Sequence, residues 1–246
     1  MRILITGKNA KKIEPLVKKF GFKTVTAEPD VIISFGGDGT LLSSERKYPG
    51  VPKLPIRDNL ICNKCPNHKP ETLLKNLMEN KLKLQKYTKL QTSIVGQTIH
   101  ALNDFVIRNT SPIHTIRFWV TITSNHPTFD AKPANNNKLL IGDGIIVATS
   151  FGSTGYFQSI TRQTFSSGFG LAFNNTTEQK SPEFFDKKDT VIFKLIRGSA
   201  TLSFDNNSQI IPIAEGLEIS FKNSDQKAKI YEAKSLRCPN CKIIRG

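Results

Sequence analysis

Residues 36–40 read Gly36-Gly37-Asp38-Gly39-Thr40, a single carboxylate set among glycines. Glycines let a backbone approach a phosphate closely, and exposed N–H groups donate to its oxygens. A carboxylate next to phosphates is costly unless a cation or a proton transfer compensates it. Asp38 is therefore a candidate general base toward a hydroxyl, a Mg2+ partner, or both in turn. The plain alternative is a glycine-rich turn with an ordinary Asp cap. A second segment, Leu102-Asn103-Asp104-Phe105-Val106-Ile107, opens an apolar run with an amide and a carboxylate. An amide donates and accepts while a carboxylate only accepts, so the pair can grip sugar hydroxyls and a base edge. Read alone, a turn before a strand is the simpler account. A third segment runs from Gly142-Asp143-Gly144 through an apolar stretch to Thr149-Ser150-Phe151-Gly152-Ser153-Thr154-Gly155-Tyr156. Hydroxyls and N–H groups at a helix start suit an anion or a ribose. Tyr156 can stack on a base or simply pack.

The four cysteines form two C-x-x-C pairs, Cys62 with Cys65 and Cys238 with Cys241. Two such pairs suit a tetrahedral four-thiolate Zn2+ site, with reduced thiols or disulfides as the alternatives. The pairs lie far apart in sequence, but loop-closure entropy grows only logarithmically with length. His68, close to the first pair, reads as a surface residue.

The elements that must position these residues fall into two textures. Residues 2–6 read as a buried strand, and Ile13, Leu16, Val17 and Phe20 recur at helical spacing before Gly21. A short strand follows near Phe22–Thr26. Val31–Phe35 is a continuous apolar run, as in a strand covered on both faces of a parallel sheet. Leu41–Lys47 and Glu71–Lys81 read as helices, so the first third has a βαβ rhythm. Ligands of such sheets bind at the carboxyl ends of the strands, where Gly36–Thr40 falls. Beyond Lys83 strand-like runs dominate: Thr92–Val95, Ala101–Arg108, Ile116–Thr123, Leu139–Ala148, Thr190–Ile196, Ala200–Phe204 and Leu217–Phe221. Tyr156–Thr164 is the helical exception. The expected architecture is an N-terminal Rossmann-like α/β domain over 1–88, a β-rich, sandwich-like domain over 89–225 and a C-terminal segment over 226–246.

The net charge of +15 favours anionic partners. The lysines are spread along the chain without an arginine-rich tail, so a solvated basic surface is expected rather than a nucleic-acid face. No apolar run approaches the roughly 20 residues of a membrane helix. The first apolar stretch is too short for a signal peptide, and a cytoplasmic protein is expected.

The order Gly-Gly-Asp-Gly-Thr, then Asn-acidic, then Asp-Gly with a later Gly-Ser-Thr-x-Tyr resembles the NAD kinase family over roughly residues 1–225. Diacylglycerol and sphingosine kinases share a form of the first motif only. The resemblance implies transfer of a phosphoryl group from ATP or polyphosphate to the adenosine ribose 2′-hydroxyl of NAD, with Mg2+ or another divalent cation. It also implies NAD bound between the two domains, a homo-oligomer, and a last segment that returns to the N-terminal domain. Residue by residue, it implies that Asp38 activates the hydroxyl and that Gly36, Gly37, Gly39 and Thr40 line the donor phosphates. Asn103 and Asp104 would hold NAD, Asp143 would face the nicotinamide end, and Thr154, Gly155, Tyr156 and Ser159 would lie along the dinucleotide. Asp205 to Gln209 is similar to a spaced form of the family's Asp-Gly-Gln turn. Asp104 replaces the usual Glu, and Phe151 replaces a small, often hydroxylated residue. Pro55-Ile56-Arg57-Asp58-Asn59 replaces a glycine-rich stretch, leaving Arg57 either beside a phosphate or on the surface. The rival functions are a lipid or small-alcohol kinase, and a non-catalytic nucleotide sensor or nucleic-acid binder.

Overall fold

A computed structural model describes residues 1–58, 68–94, 96–123 and 139–231. The chain forms two compact units, Met1–Tyr87 with the chain from Lys227, and Thr88–Gln226.

In the first unit the order is β1 (Arg2–Thr6), α1 (Ala10–Lys19), β2 (Lys23–Thr24), β3 (Val31–Phe35), α2 (Asp38–Lys47), β4 (Lys53–Ile56) and α3 (Pro70–Met78). The strands are parallel in the order β2-β1-β3-β4, with Leu4 beside Ile32 and Ile33 beside Leu54. Every residue of β3 is buried, as its unbroken apolar run requires. Ile13 and Val17 of α1 and Leu73, Leu74 and Leu77 of α3 close over Ile3, Val31, Ile33, Leu54 and Ile56. β4 has no counterpart among the expected elements. A four-residue strand carrying Pro55 has little local signal, and Pro cannot donate to a ladder. Its burial comes instead from its place beside β3.

β5 (Leu84–Ile94) carries the chain into the second unit. There follow β6 (Gln97–Ala101), β7 (Asp104–Asn109), β8 (Ile116–Thr123), β9 (Leu140–Gly142), β10 (Gly144–Thr149), α4 (Tyr156–Thr161), β11 (Phe169–Asn174), β12 (Glu183–Phe185), β13 (Thr190–Arg197), β14 (Ala200–Phe204), β15 (Ile211–Ile213) and β16 (Glu218–Tyr231). One antiparallel sheet has the order β12-β11-β10-β7-β14-β15. In the other, β13 pairs with β8 and β16, and β8 with β9. Phe105, Ile107, Ile145, Val147 and Leu171 of the first share one core with Phe118, Val191, Phe193, Ile219 and Phe221 of the second. The ring centroids of Phe105 and Phe221 are 5.3 Å apart, so the two sheets pack face to face as a sandwich. The α/β class of the first unit and the sandwich character of the second agree with expectation.

Several boundaries moved for physical reasons. Ala101–Arg108 is two strands with a bend at Leu102 and Asn103, where Asp205 takes the backbone N–H groups out of the ladder. Leu139–Ala148 breaks at Asp143. α2 starts at Asp38 rather than Leu41, and α4 stops at Thr161 because Arg162 is left-handed (φ 60°). β16 runs ten residues past the expected end, through polar Lys222 to Lys229, because sheet pairing overrides local propensity. Its early part pairs with β13, and Ile230 lies beside Lys53 of β4.

Candidate active site

In the first unit, three neighbouring parallel strands end together. β3 emerges at Gly36, whose N–H donates to Ile56 O at 2.8 Å. A Cβ at Gly36 would lie 2.4 Å from Thr40 Oγ1, so no other residue fits without displacing that hydroxyl. Gly37 is extended and caps α2, so Asp38 and Gly39 occupy the helix's first turn. First-turn amides of a helix lack intrahelical acceptors and favour anions. Ser44 fastens α2 to the sheet: it donates to Thr40 O at 2.7 Å, accepts from Ser34 at 3.0 Å and lies 2.7 Å from Thr6 Oγ1. A fully buried ion pair joins Glu45 of α2 to Lys53 of β4, and the Lys53 ammonium also reaches Tyr48 O. Asn9, after β1, donates to Asp58, after β4, at 2.9 Å.

At the centre of this edge Asp38 is 54% exposed at its side chain, and the Arg57 guanidinium lies 3.6 Å from its Oδ1. Arg57 is only 16% exposed, which removes the surface reading of that residue. The pair joins a carboxylate open to a reactant with a largely desolvated cation. A separate cavity of about 510 Å3 opens between α1 and β2, lined by Lys11, Glu14, Thr24 and Thr26 among others. Neither Asp38 nor Arg57 lines it.

In the second unit a network built around one carboxylate shapes the Asn103 loop. Asp205 accepts from the N–H groups of Leu102 and Asn103, both at 2.6 Å, and of Asp104 at 3.4 Å. Asp205 and Asn206 are both left-handed (φ 47° and 50°), and Asn207 N donates to Phe204 O, a tight turn after β14 that aims the carboxylate back at β7. Asn103 O accepts from Thr149 N at 2.8 Å. Thr149 Oγ1 donates to Leu102 O at 2.6 Å and accepts from Gly152 N at 3.0 Å. A Cβ at Gly152 would lie 2.1 Å from Asn103 O, so this glycine is what lets the two loops meet. Asn103 Nδ2 lies 4.0 Å from where a Gly155 Cβ would stand, and Asn103 Oδ1 is buried without a partner among the described residues. A buried amide oxygen left without a donor is costly, which points to a ligand or water there.

Asp104 is 8% exposed. Burial, and then the neighbouring Asp205 carboxylate, push its pKa up to about 7. Tyr156 packs against Val106, Ile146, Ala148, Phe157 and Ala172. Ser159 Oγ donates to Tyr156 O at 2.7 Å within α4. Phe151 is buried at 5% exposure, so the residue that departs from the expected small polar type turns into the core.

The geometry thus brings Asn103 together with the Thr149–Gly155 loop, and Gly36 to Thr40 into one turn. It sets Asp143 apart, at the far end of β10. Its Oδ1 accepts from Asn109 at 3.2 Å and its Oδ2 from Asn175 at 3.1 Å. At about 3.4 Å per strand residue that is on the order of 20 Å from Thr149. Asp205 and Arg57 are the residues whose part the sequence reading left unspecified. The turn at Asp205 was visible, but its hydrogen-bond partners lie about a hundred residues away. Cys62, Cys65, Cys238 and Cys241 lie outside the described residues. Among the described residues no group of three or more His, Cys, Asp or Glu side chains is placed to hold a metal ion. Among them, too, no helix is long and apolar enough to cross a membrane.

A parallel sheet ending in a glycine-flanked carboxylate at a helix start, and a β-sandwich unit bearing a second polar loop cluster, give a two-unit protein of the α/β-plus-β class. No protein-family model matches the chain. It is 28% identical over 172 residues to an NAD kinase of Sulfurisphaera tokodaii, covering 66% of this chain and 63% of that protein. It is 30% identical over 171 residues to NAD kinase 2 of Bacillus licheniformis, covering 63% of this chain and 57% of that protein. The matched stretch is thus less than two thirds of either relative's length. Among solved structures, the Archaeoglobus fulgidus NAD kinase in complex with ATP superposes over 99% of both chains with a TM-score of 0.75 at 20% identity. Yeast NADH kinase complexed with NADH covers 98% of this chain and 86% of its own, with a TM-score of 0.76 at 15% identity. These two share the fold. The chain is thus similar in sequence to NAD kinases over about two thirds of its length and shares their fold.

Proposed function

We propose that this protein transfers the terminal phosphoryl group of ATP to the 2′-hydroxyl of the adenosine ribose of NAD, giving NADP. The observation that carries the proposal is the exposed Asp38 carboxylate in the first turn of α2, at the carboxyl edge of the sheet and beside Arg57. Support also comes from the names of the curated relatives, and from the ATP and NADH complexes of the two structural neighbours.

In the proposed step the ribose 2′-oxygen attacks the terminal phosphorus while its proton passes to Asp38. The bond from that phosphorus to the bridging oxygen breaks, and ADP leaves with the electron pair. Phosphoryl transfer depends mostly on positioning and charge neutralisation. The first-turn amides of α2, around Gly37 and Gly39, and the Thr40 hydroxyl would receive donor phosphates. Mg2+ would arrive as part of the magnesium–triphosphate substrate. One exposed carboxylate fits that ion, which keeps most of its waters and uses few protein ligands. Asn103, whose buried Oδ1 has no partner among the described residues, and Thr154, Gly155, Tyr156 and Ser159 are proposed to hold NAD. Asp104 is proposed to support that loop from beneath. Asp143, whose carboxylate oxygens accept from Asn109 and Asn175, is proposed to face the nicotinamide end. A structural Zn2+ on the four cysteines, a homo-oligomer, a cytoplasmic location and the use of polyphosphate as an alternative donor are further parts of the proposal, resting on the sequence.

A coupled assay for NADP with NAD, Mg2+ and either ATP or polyphosphate tests the reading. Asp38→Asn is expected to keep the thermal midpoint and lose roughly 100-fold or more in kcat. Unimpaired turnover in that variant refutes Asp38 as the base, and absence of NADP with both donors refutes the reaction.

A further inference from the structure

We propose that the cavity between α1 and β2 holds the base and ribose of the phosphoryl donor, with Glu14 accepting from an amino group on the base. The preferred donor is then a nucleoside triphosphate rather than a bare polyphosphate. The inference rests on the proposed reaction for the phosphate end of that molecule, but its own test is a binding measurement.

The strand order β2-β1-β3-β4 changes direction between β1 and β3, since the chain runs from β1 outward to β2 and from β3 outward to β4. The helices follow. Ile13 and Val17 of α1 pack with Ile3 and Ile33, whereas Ser44 of α2 meets Thr6 and Ser34 on the opposite face. Open α/β sheets bind ligands at the carboxyl ends of the strands where the order reverses, because the flanking loops part there and leave a crevice. Here Gly7 follows β1 and Gly36 follows β3 on the two sides of that point. A Cβ on Gly7 (φ 123°) would lie 2.0 Å from Phe35 O and 3.4 Å from Thr40 Cγ2. Only glycine therefore lets the β1–α1 loop close on the Gly36–Thr40 turn. Gly7 O accepts from Ala10 N at 3.2 Å, so α1 starts directly beyond that contact.

The cavity opens on the α1 side of the crevice. Its volume of about 510 Å3 falls within the roughly 300–1,000 Å3 of small-molecule sites. Ile5 and Ala10 offer apolar surface, Thr24 and Thr26 hydroxyls, Lys11 an ammonium and Glu14 a carboxylate. That mixture suits a flat heterocycle on a sugar, which has apolar faces and polar edges. A bare polyphosphate gains nothing from the apolar wall and meets a like charge at Glu14. The Lys18 ammonium lies 2.7 Å from Glu14 Oε1, and Thr24 Oγ1 donates to the same oxygen at 3.4 Å. The Lys18 hydrogen bond holds the Glu14 carboxyl below its ordinary range and so keeps it ionised. A carboxylate has about four acceptor positions on two oxygens, so Glu14 can take a base amino group and keep both contacts. Neighbouring strands lie about 4.8 Å apart, which puts Ile5 of β1 one strand from the end of β3. A triphosphate leading from a ribose in the cavity thus runs toward the first-turn amides of α2 around Gly37 and Gly39.

The test is titration calorimetry of the full chain with the magnesium complexes of ATP, of purine riboside triphosphate, which lacks the amino group, and of inorganic tripolyphosphate. Wild type is compared with Ala10→Phe, which fills the cavity, and Glu14→Ala, which removes the acceptor. Wild type is expected to bind ATP roughly 10-fold or more tighter than tripolyphosphate, with purine riboside triphosphate between them. Ala10→Phe should weaken ATP by about 10-fold and leave tripolyphosphate within about twofold. Glu14→Ala should weaken ATP by about 10-fold and leave purine riboside triphosphate within about twofold of wild type. In the NADP assay the KM for ATP should rise in both variants by similar factors. Thermal midpoints identify a variant that fails to fold, and Glu14→Ala, at a side chain 38% exposed, then carries the comparison. Equal affinity of wild type for ATP and tripolyphosphate, no binding of ATP, or unchanged ATP affinity in either folded variant overturns the inference. So does a folded Ala10→Phe that loses both ligands alike. If the expected binding pattern is found but NADP is never formed, the inference stands and the proposed reaction falls. If NADP forms and the KM for ATP is unchanged in both variants, the reverse holds.

Discussion

Asp205 and Asp104 show how one carboxylate holds a loop at a cost to its neighbour. Asp205 accepts from three backbone N–H groups, while Asp104, 8% exposed beside it, has its pKa raised to about 7. The ordinary value for Asp is 3.8. A carboxyl whose folded pKa exceeds its unfolded one binds more protons when folded, so stability falls as pH rises between those values. Below about pH 4 the penalty is absent, and above about pH 7 it is complete, on the order of 2–4 kcal/mol. Asp104→Asn is therefore expected to gain stability relative to wild type as pH rises from about 4.5 to 8. Urea unfolding at several pH values measures it, and a stability difference that does not change with pH in this window excludes the linkage. This pair of carboxylates lies beside Asn103, whose buried Oδ1 has no hydrogen-bond partner among the described residues.

At the scale of elements, α2 carries the carboxylate proposed as the base and is held by two kinds of contact. The Ser44 hydroxyl meets Ser34 and Thr6 of the sheet, and Glu45 meets Lys53 in full burial. Removing one partner of a buried ion pair leaves an uncompensated charge, whereas replacing both with apolar side chains is often neutral. Lys53→Met is expected to cost about 3 kcal/mol or more in denaturant unfolding, and Glu45→Leu with Lys53→Met to recover most of it. A double variant as unstable as the single one would show that the ammonium's bond to Tyr48 O, rather than the pair, holds β4 in place. The same elements show how far local pattern reaches. β3, α1 and the strands Ile116–Thr123 and Ala200–Phe204 were legible from apolar runs and period. β4 was not, because four residues with a proline carry no period. The tail of β16 was not, because polar residues become a strand only when a partner supplies the ladder.

At the scale of the whole molecule, the +15 charge favours anionic ligands, and β16 contributes to both compact units. The two C-x-x-C pairs add a testable property of the full chain. Metal analysis of purified protein is expected to find about one zinc per chain, with loss of stability on chelation. Far less than one zinc per chain removes the proposed site.

The sequence alone determined the order of elements, the buried β3 run and the glycine turn that follows it. Each depends on neighbours a few residues apart, through side-chain period and backbone freedom. It also determined which residues carry the resemblance to a kinase family. Only the tertiary structure decided that Asp205 holds the Asn103 loop, that Gly152 meets Asn103 O, and that Arg57 turns inward to Asp38. Those contacts are set by strand register, Phe105 beside Phe204 and Ile33 beside Leu54, which brings together residues that share no local pattern. A carboxylate's partners are chosen by whichever N–H groups pairing leaves within reach, and that choice is made across the sheet rather than along the chain.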